Sequence, residues 1–373
     1  MNVALMEAPV CFNTALRLSR LREQLGCGSV SELWNPWETS ASSFPEKGDS
    51  SDKFRFLLNY AILAPSGHNS QPWLFNIIGD ELELYADRTR ALPVCDPADR
   101  ELVISCGAAQ FNLLTALRHF GYSGKVRRFP KADEPDLLAT VGFGDRRKPS
   151  AEDELLFGVI PKRRTNRMPF ETRPVPSELL KELEAAAKAQ GAWLHIFHDD
   201  AVRSKVADLI AEGDRVQMAN PNFRRELAAW IHPNRSVTHD GMPAYALGRT
   251  GLSSNITPLV VRTFDLGKGQ AAKDRGLVAG SPVLALLGSE GDTQTDWMEV
   301  GQALDSVLLH ARANEVWASF LNQPIEVPDL RTKFRELMNV GGFPQILIRM
   351  GYGQEVKPTP RRTPGEVLMR PLR

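Results

Sequence analysis

The segment Ala64–Trp73 combines small residues, hydrogen-bonding side chains and two prolines, and it lies between a helical pattern and a strand-like one. Asn69 and Gln71 each carry a carbonyl and an amide, so each can bond donors and acceptors on a planar heterocycle. Pro65 and Pro72 restrict the backbone, which lowers the entropy cost of holding such a geometry. These residue types suit a ligand-binding loop, and they equally suit a polar connection between a helix and a strand.

Arginines form two short clusters, Arg163–Arg167 and the pair Arg361 and Arg362. A guanidinium group offers forked, permanently charged donors that match a phosphate better than an ammonium does. Arginine-rich pentamers are also common on solvated surfaces. Residue chemistry alone therefore leaves both a phosphate site and a solvated surface open.

The remaining candidates for chemistry are weaker. His195 and His198 fall on a predicted strand, where they point to opposite faces and cannot share a metal, so no metal site is predicted. The pair Gly341 and Gly342 lacks the context of a phosphate loop and suits a turn. No side chain stands out as a catalytic nucleophile, so catalysis by the protein's own groups is not predicted.

Composition narrows the class of protein. The 373 residues include 45 basic and 45 acidic side chains, which gives no electrostatic reason to expect nucleic acid or an anionic membrane as a partner. The four cysteines form no C-x-x-C pair, which favours a reducing compartment. No apolar run could span a bilayer, and no signal-peptide pattern opens the chain. We therefore expect a soluble, cytoplasmic protein.

Hydrophobic periodicity and turn residues predict an alternation of helices and strands in the first half. The Gly79-Asp80 turn between two strand-like segments predicts a β-hairpin, and Asp52 is the expected cap of the first helix. The predicted elements are a helix over 52–64, strands over 73–78 and 81–85, a long helix over 101–120, strands over 125–129 and 137–143, and a charged linker over 145–154.

The second half repeats part of this pattern. Gly107-x-Ala109 in the first long helix matches Gly301-x-Ala303 in a second one, which predicts a duplicated α+β domain. Two buried helices can also resemble each other through composition alone. The predicted elements are helices over 177–190, 199–212 and 299–321, and strands over 193–197, 281–287 and 344–350.

Two segments fall outside the repeat. Residues 1–51 read as an N-terminal extension that packs on the body, since Trp34 and Trp37 would otherwise be exposed, and a disordered leader is the alternative. Residues 213–275 are too long for a loop and too irregular for a domain. The half-domains are then expected over 52–150 and 151–373, with the insertion in the second.

The segment Pro-Ser-Gly-His-Asn-Ser-Gln-Pro-Trp resembles the Pro-Ser-Ser-x-Asn-x-Gln-Pro-Trp loop of the nitroreductase superfamily, whose members bind FMN. Arg163-Arg164-Thr165-Asn166-Arg167 resembles the family's Arg-x-Ser-x-Arg motif. In ordinary members the arginine motif comes first, whereas here it follows. In this reversed order of motifs the chain resembles the fused double-nitroreductase proteins, which form the Acg-like group.

The resemblance implies two α/β/α half-domains fused as a pseudo-dimer, with one FMN at their internal interface and the insertion as a lid. The resemblance is compatible with either a monomer or a homodimer. The insertion could instead be a surface excursion with its own helices. The turn at Gln323–Val327 resembles the family's Pro-x-Glu-Gly turn, which places the Glu326 backbone N–H near flavin N5, with Val327 where glycine is frequent. The cofactor-binding residues implied are Pro65, Ser66, Asn69, Gln71, Arg163, Arg164, Thr165, Arg167, Pro324, Ile325, Glu326, Val327, Arg361 and Arg362.

The function implied is hydride transfer from NAD(P)H through FMN to a nitroaromatic, a quinone or a similar small acceptor. Access of substrate would be set by His68, Met242, Pro243, Tyr245 and Leu247. Two alternatives stay open: a protein that sequesters FMN under its lid without turnover, and a specialised flavin oxidase or reductase of the same superfamily.

Overall fold

The computed structural model describes residues 35–249, 253–338 and 341–369. The chain divides into residues 1–36 and a compact unit from Trp37 onward, and the account below concerns the latter. Trp34 and most of the expected extension lie outside the described residues. Trp37 is buried, and its indole N–H donates to the carbonyl of Thr359 at 3.1 Å.

The first sheet contains four antiparallel strands in the order β1-β2-β4-β3. Trp73 faces Ala86 and Ile78 faces Glu81, so the predicted hairpin about Gly79 is confirmed. Gly79 has a φ of +57°, which a residue without a Cβ adopts at little cost. The strands are β1 (Trp73–Ile78), β2 (Glu81–Ala86), β3 (Tyr122–Arg128) and β4 (Leu137–Arg146).

The second sheet repeats this arrangement with four antiparallel strands in the order β5-β8-β10-β9. The strand β8 is buried along its whole length, in keeping with its unbroken apolar sequence. A short parallel pair, β6 with β7, lies in the predicted insertion. The strands are β5 (Trp193–Ile196), β6 (Ile231–His232), β7 (Met242–Pro243), β8 (Val283–Ser289), β9 (Trp317–Phe320) and β10 (Phe343–Gly351).

Helices cover the sheets and fill most of the predicted insertion. Four of them fall wholly or partly within residues 213–275, so the segment is largely helical, as the alternative of an excursion with its own helices predicts. The helices are α1 (Ser50–Ala61), α2 (Arg100–His119), α3 (Ala151–Val159), α4 (Ser177–Lys188), α5 (Asp200–Ala219), α6 (Pro221–Ala229), α7 (Ser253–Thr263), α8 (Gly267–Ala279), α9 (Gln294–Ala313), α10 (Gln323–Glu326), α11 (Pro328–Met338) and α12 (Pro364–Val367).

The two long helices α2 and α9 have 20 residues each and cross at the glycines that the repeat had matched. A Cβ on Gly301 would lie 2.1 Å from the carbonyl oxygen of Ile104 and 2.8 Å from the Cα of Gly107. A Cβ on Gly107 would lie 2.3 Å from the carbonyl oxygen of Met298. Only glycine at both positions lets the backbones approach this closely, so the crossing holds the two sheets together.

Three boundaries differ from the sequence-based expectation. The cap of α1 is Asp49, whose carboxylate accepts from the N–H of Asp52 at 2.9 Å. The prediction of a charged linker over 145–154 is wrong, because β4 continues to Arg146 and Ser150 caps α3. The helix over 299–321 ends at Ala313, since Glu315 adopts a left-handed φ of +62°.

Among the described residues, no helix combines the length and the apolar character needed to cross a bilayer.

We predict that Gly301→Ala lowers the free energy of unfolding by about 3 kcal/mol, because the new methyl group meets backbone atoms that cannot turn aside. Urea unfolding would measure the loss. Gly276→Ala in α8 is the matched control, since a Cβ there meets nothing within 4 Å. Better helix propensity should make this control more stable by about 0.5–1 kcal/mol. Equal effects of the two substitutions would contradict the close crossing.

Candidate functional site

A cavity of about 360 Å³ lies between the Ala64–Trp73 loop, the helix α2, the strand β10 and the helices of the insertion. Its walls are mainly apolar, with charged groups at intervals. A volume of this size is typical of a pocket for a small molecule or a cofactor ring. Of the residues predicted from sequence, those that line it are Pro65, Ser66, His68, Thr165, Arg167, Met242 and Glu326.

The Ala64–Trp73 loop is strained at the cavity wall. His68, Asn69 and Gln71 have φ values of +51°, +58° and +53°, in the left-handed region that side chains disfavour. Other segments hold this conformation: the Asn69 amide donates to the carbonyls of Gly241 at 2.9 Å and Pro360 at 3.1 Å. The loop is therefore shaped from outside, by the insertion and by the segment near the C-terminus.

Gln71 is placed differently from the expectation. It is fully buried, its amide donates to the carbonyl of His239 at 2.8 Å, and its side-chain oxygen accepts from the N–H of Arg362 at 2.8 Å. Its side chain lines neither the cavity nor the smaller pocket described below. Asn69 lines only that smaller pocket. The loop is brought to the cavity, but these two amides mainly fix its shape.

His68 is the titratable residue of the loop that lines the cavity. Its Nε2 is buried and has no hydrogen-bond partner among the described residues. Burial, together with the positive charge of Arg167, lowers the pKa of His68 to about 4. The imidazole is therefore neutral near pH 7 and can exchange a hydrogen bond with a bound molecule.

A small pocket of about 30 Å³ adjoins the cavity and shares Pro65, Ser66, Thr165, Arg167 and Met242 with it. Its walls are strongly basic. The guanidinium groups that line it belong to Arg163, Arg164, Arg167 and Arg361, and the ammonium group of Lys357 also lines it.

These guanidinium groups have unmet hydrogen-bonding capacity. Within the part of the chain that the structure describes, Nε of Arg163, Arg164 and Arg361 and Nη1 of Arg167 are buried without a partner. Burial lowers the pKa of Arg164 and of Arg167 to about 10, and the charge of Arg163 contributes at Arg164. Trp37 supports the group from one side, with its ring 3.8 Å from the Arg164 guanidinium carbon.

The compensating negative charge is small. Asp305, fully buried on α9, lies 3.9 Å from Nε of Arg163. Burial raises the pKa of this carboxyl to about 7, although Arg163 and Arg361 oppose the rise. Several buried cations facing one partly protonated carboxyl are costly without an anion, because desolvated charges need partners.

Arg362 does not join the basic pocket. Its Nη1 donates to the carbonyls of Gln71 at 2.9 Å and Trp73 at 3.2 Å, and it lies 3.4 Å from the carboxylate of Asp87. The prediction that pairs it with Arg361 at a phosphate is therefore wrong for Arg362. Arg362 instead ties the C-terminal segment to β1.

The turn after β9 also departs from the expectation. Residues Gln323–Glu326 form the short helix α10, and the N–H of Glu326 donates to the carbonyl of Asn322 at 2.9 Å. That N–H is occupied within the helix, so the prediction that it faces a flavin is wrong. Pro324 and Ile325 are buried away from the cavity, and Val327 does not line it either. Glu326 itself is part of the cavity wall.

Access to the cavity also involves other residues than those expected. Met242 lines it as predicted, but Pro243 and Tyr245 do not. The Tyr245 hydroxyl instead donates to the carbonyl of Pro358 at 2.6 Å. Leu247, which was also predicted, does line the cavity, and Arg249 from the same segment lines it although it was not predicted.

Sequence reasoning missed several charged residues at these two sites. Arg349 is fully buried on β10, lines the cavity, and has two guanidinium nitrogens without partners in the described chain. Glu101, Asp214 and Asp274 also line the cavity. The available signal was a charged residue inside an apolar run, as at Arg349 in Ile346–Met350.

Comparison with known proteins places the chain in a family. It is 32% identical over 322 residues to the protein Rv3131 of Mycobacterium tuberculosis H37Rv, which is named by inference as an NAD(P)H nitroreductase. The alignment covers 84% of this chain and 90% of Rv3131. It is 25% identical over 325 residues to the acg protein of the same strain, which carries the same type of name, with 86% and 95% covered. The chain therefore belongs to the NAD(P)H nitroreductase family, in the group that includes acg.

Other comparisons add less. The nitroreductase PigM of Serratia sp. ATCC 39006, also named by inference, is 24% identical over 327 residues, with 82% of this chain and 90% of the relative covered. Among solved structures, the FMN-dependent nitroreductase NfnB from Mycobacterium smegmatis covers 54% of this chain and 88% of its own at 15% identity and a TM-score of 0.34. No family model matches the sequence.

We predict that Asp305 makes stability depend on pH. Because the folded protein holds this proton more tightly than the unfolded chain does, the free energy of unfolding falls as pH rises from about 4 to about 7. Asp305→Asn removes this effect. The free energy of unfolding of the variant should therefore rise relative to that of the wild type by up to about 1.4 kcal/mol per pH unit in that window. Urea unfolding at several pH values would test this, and parallel profiles would contradict it.

Proposed function

We propose that the chain is an FMN-dependent oxidoreductase that takes hydride from NAD(P)H and reduces a small acceptor such as a nitroaromatic or a quinone. The observation that carries this proposal is the basic pocket beside the cavity. Its buried guanidinium nitrogens without partners match the demand of a dianionic phosphate for several charged donors. The adjoining cavity offers room for a flat ring system.

The residues fit FMN in this orientation. Arg163, Arg164, Arg167 and Arg361 would hold the phosphate, while Ser66 and Thr165, which line both spaces, would lie along the chain between phosphate and ring. When bound, FMN would supply the hydride chemistry, and the protein would supply binding and orientation. The neutral His68 imidazole would bond either the ring or the acceptor.

The same proposal accounts for the duplicated architecture. The matching strand orders of the two sheets and the crossing of α2 and α9 support two half-domains, over 52–150 and 151–373, that form a pseudo-dimer. The phosphate arginines come from the second half and the Ala64–Trp73 loop from the first. One FMN per chain is then expected, at the interface of the halves, under a lid formed by the insertion at about 213–275.

A second candidate, an FMN store without turnover, is favoured by the way the insertion is fastened over the cavity. Asp240 pairs with Arg90, and His239 lies 2.8 Å from the carboxylate of Glu366. The carboxylate of Glu226 accepts from the N–H groups of Val94 and Cys95, both at 2.9 Å. These contacts would restrict entry of NAD(P)H and acceptor.

We predict that the purified protein contains about one FMN per chain and that Arg164→Ala combined with Arg167→Ala removes most of it. Two charge-assisted hydrogen bonds contribute about 3 kcal/mol or more, so the dissociation constant for FMN should rise roughly a hundredfold. Visible absorbance and fluorescence of released flavin after gel filtration would measure the content.

Arg127→Ala is the control for the loss of positive charge, because Arg127 is exposed on β3 and pairs with Glu81. It should keep its full FMN content. Thermal melting without added flavin separates a lost phosphate site from misfolding. Stoichiometric flavin in the folded double variant would exclude the phosphate assignment.

We predict that the wild-type protein oxidises NADPH when a quinone is added, and that Asp240→Asn changes the rate by less than about threefold, because the remaining contacts of the insertion persist. Stopped-flow absorbance would follow NADPH. The control is Asp133→Asn, an exposed carboxyl in the turn between β3 and β4. A silent wild type combined with an active Asp240→Asn would favour the store instead.

A further inference from the structure

One part of the cavity wall is acidic. Four carboxyl groups line it, each from a different helix: Glu101 of α2, Asp214 of α5, Asp274 of α8 and Glu326 of α10. Asp214 and Asp274 accept hydrogen bonds from the same nitrogen, Nε2 of Gln323, at 3.0 and 2.8 Å. Two carboxyl groups brought this close repel each other when both are ionised.

Neutral amides are the groups that hold these carboxyls in place. Gln270 donates to both oxygens of Asp274 at 3.0 Å, and Gln217 donates to Glu326 at 2.5 Å. The amide of Asn322 donates to Glu101 at 3.1 Å. The amides fix positions without supplying the positive charge that would balance the wall.

The polar atoms of this wall that lack a hydrogen-bond partner are acceptors. Asp214 is 3% exposed, and its Oδ2 is buried without a partner in the described part of the chain. Oε1 of Gln323 is likewise buried and unpartnered. The two carboxylates that Nε2 of Gln323 bonds fix the orientation of this amide, so its oxygen must face away from them. A ligand that satisfies this wall must therefore bring hydrogen-bond donors.

The protein's own cations fill this role only in part. Arg100 bonds Glu101 at 3.0 Å, but its other nitrogen donates to the carbonyl of Gln345 at 2.6 Å. Lys273, which is exposed, and Arg349, which has two guanidinium nitrogens without partners in the described chain, also line the cavity, and their charges oppose the rise in the pKa of Asp274. Among the described residues, no ion pair within 4 Å reaches Asp214 or Asp274.

The titration of the group agrees with a wall whose carboxyl groups outweigh the cations near them. Burial, reinforced by the charge of Asp274, raises the pKa of Asp214 to about 7. Burial and the charge of Glu326 raise the pKa of Glu101 to about 8. A positive charge placed among these carboxyls would lower both values and relieve their repulsion.

We infer that this acidic wall, formed by Asp214, Asp274, Glu326 and the Gln323 side chain, is a subsite for a protonated amine on the acceptor substrate. An ammonium group has three donors and no acceptor, which matches the unpartnered oxygens of Asp214 and Gln323. The inference rests on the proposed function, because it assigns the remainder of the cavity to the flavin and the reducible group. A carboxylate-bearing acceptor would be repelled.

The test compares three ligands of nearly equal shape: 4-nitrobenzylamine, 4-nitrobenzyl alcohol and 4-nitrobenzoate. Calorimetric titration of the purified full-length protein at pH 8, where Asp214 is ionised, gives a dissociation constant for each. We expect the amine to bind at least about tenfold more tightly than the alcohol, which is about 1.4 kcal/mol, and the benzoate to bind most weakly.

Asp214→Asn should reduce the preference for the amine over the alcohol to less than about threefold. The matched control is Asp208→Asn, on the same helix α5 but exposed and paired with Arg275, and it should keep the wild-type preference. Asp274→Asn provides a second variant if Asp214→Asn does not fold. The wild-type comparison needs no variant at all.

Equal binding of amine and alcohol by the wild type, or tighter binding of the benzoate, would overturn the subsite. Flavin content, measured on the same preparation, separates this failure from failure of the proposed function. A protein that holds FMN but shows no amine preference leaves the function and removes the subsite. A protein that prefers the amine but holds no FMN leaves the subsite and removes the function.

Discussion

The close crossing of α2 and α9 is the contact on which both pockets depend. At Gly107 and Gly301 the two helix backbones approach within a distance that no side chain tolerates. The crossing brings together segments from opposite halves of the chain: Arg163 donates to the carbonyl of Leu63 at 2.9 Å, at the entrance of the Ala64–Trp73 loop. The basic pocket is shared between the halves, so it exists only while the helices remain in contact.

Elements with local signals were predicted well from the sequence. The Gly79 hairpin, the long helix α2 and the strand β10 follow from turn chemistry and hydrophobic periodicity, which act over a few residues. The matched glycines of the two long helices were also visible, because close packing demands a specific residue type. The insertion was predicted only in part: helices of its own were one of two alternatives, but their positions within residues 213–275 were not predicted.

The site was predicted by residue class better than by residue role. The motif segments do reach the cavity, but Gln71 and Arg362 bond the backbone of other segments, and the N–H of Glu326 is held inside α10. Sequence patterns cannot distinguish these roles, because partners such as His239 and Trp73 are fixed only by the tertiary fold. The acidic wall was invisible for the same reason, as its carboxyls are far apart in sequence.

The strain in the Ala64–Trp73 loop and the fastening of the insertion have one physical cause. Three left-handed residues cost the loop a few kcal/mol, and such strain persists only where other contacts over-determine the backbone. Those contacts come from the insertion, through Gly241 and His239, and from the C-terminal segment, through Arg362. If the insertion moved away, the loop would lose these bonds and could relax out of its shape. The geometry of the loop therefore depends on the position of the insertion, because the same hydrogen bonds hold both.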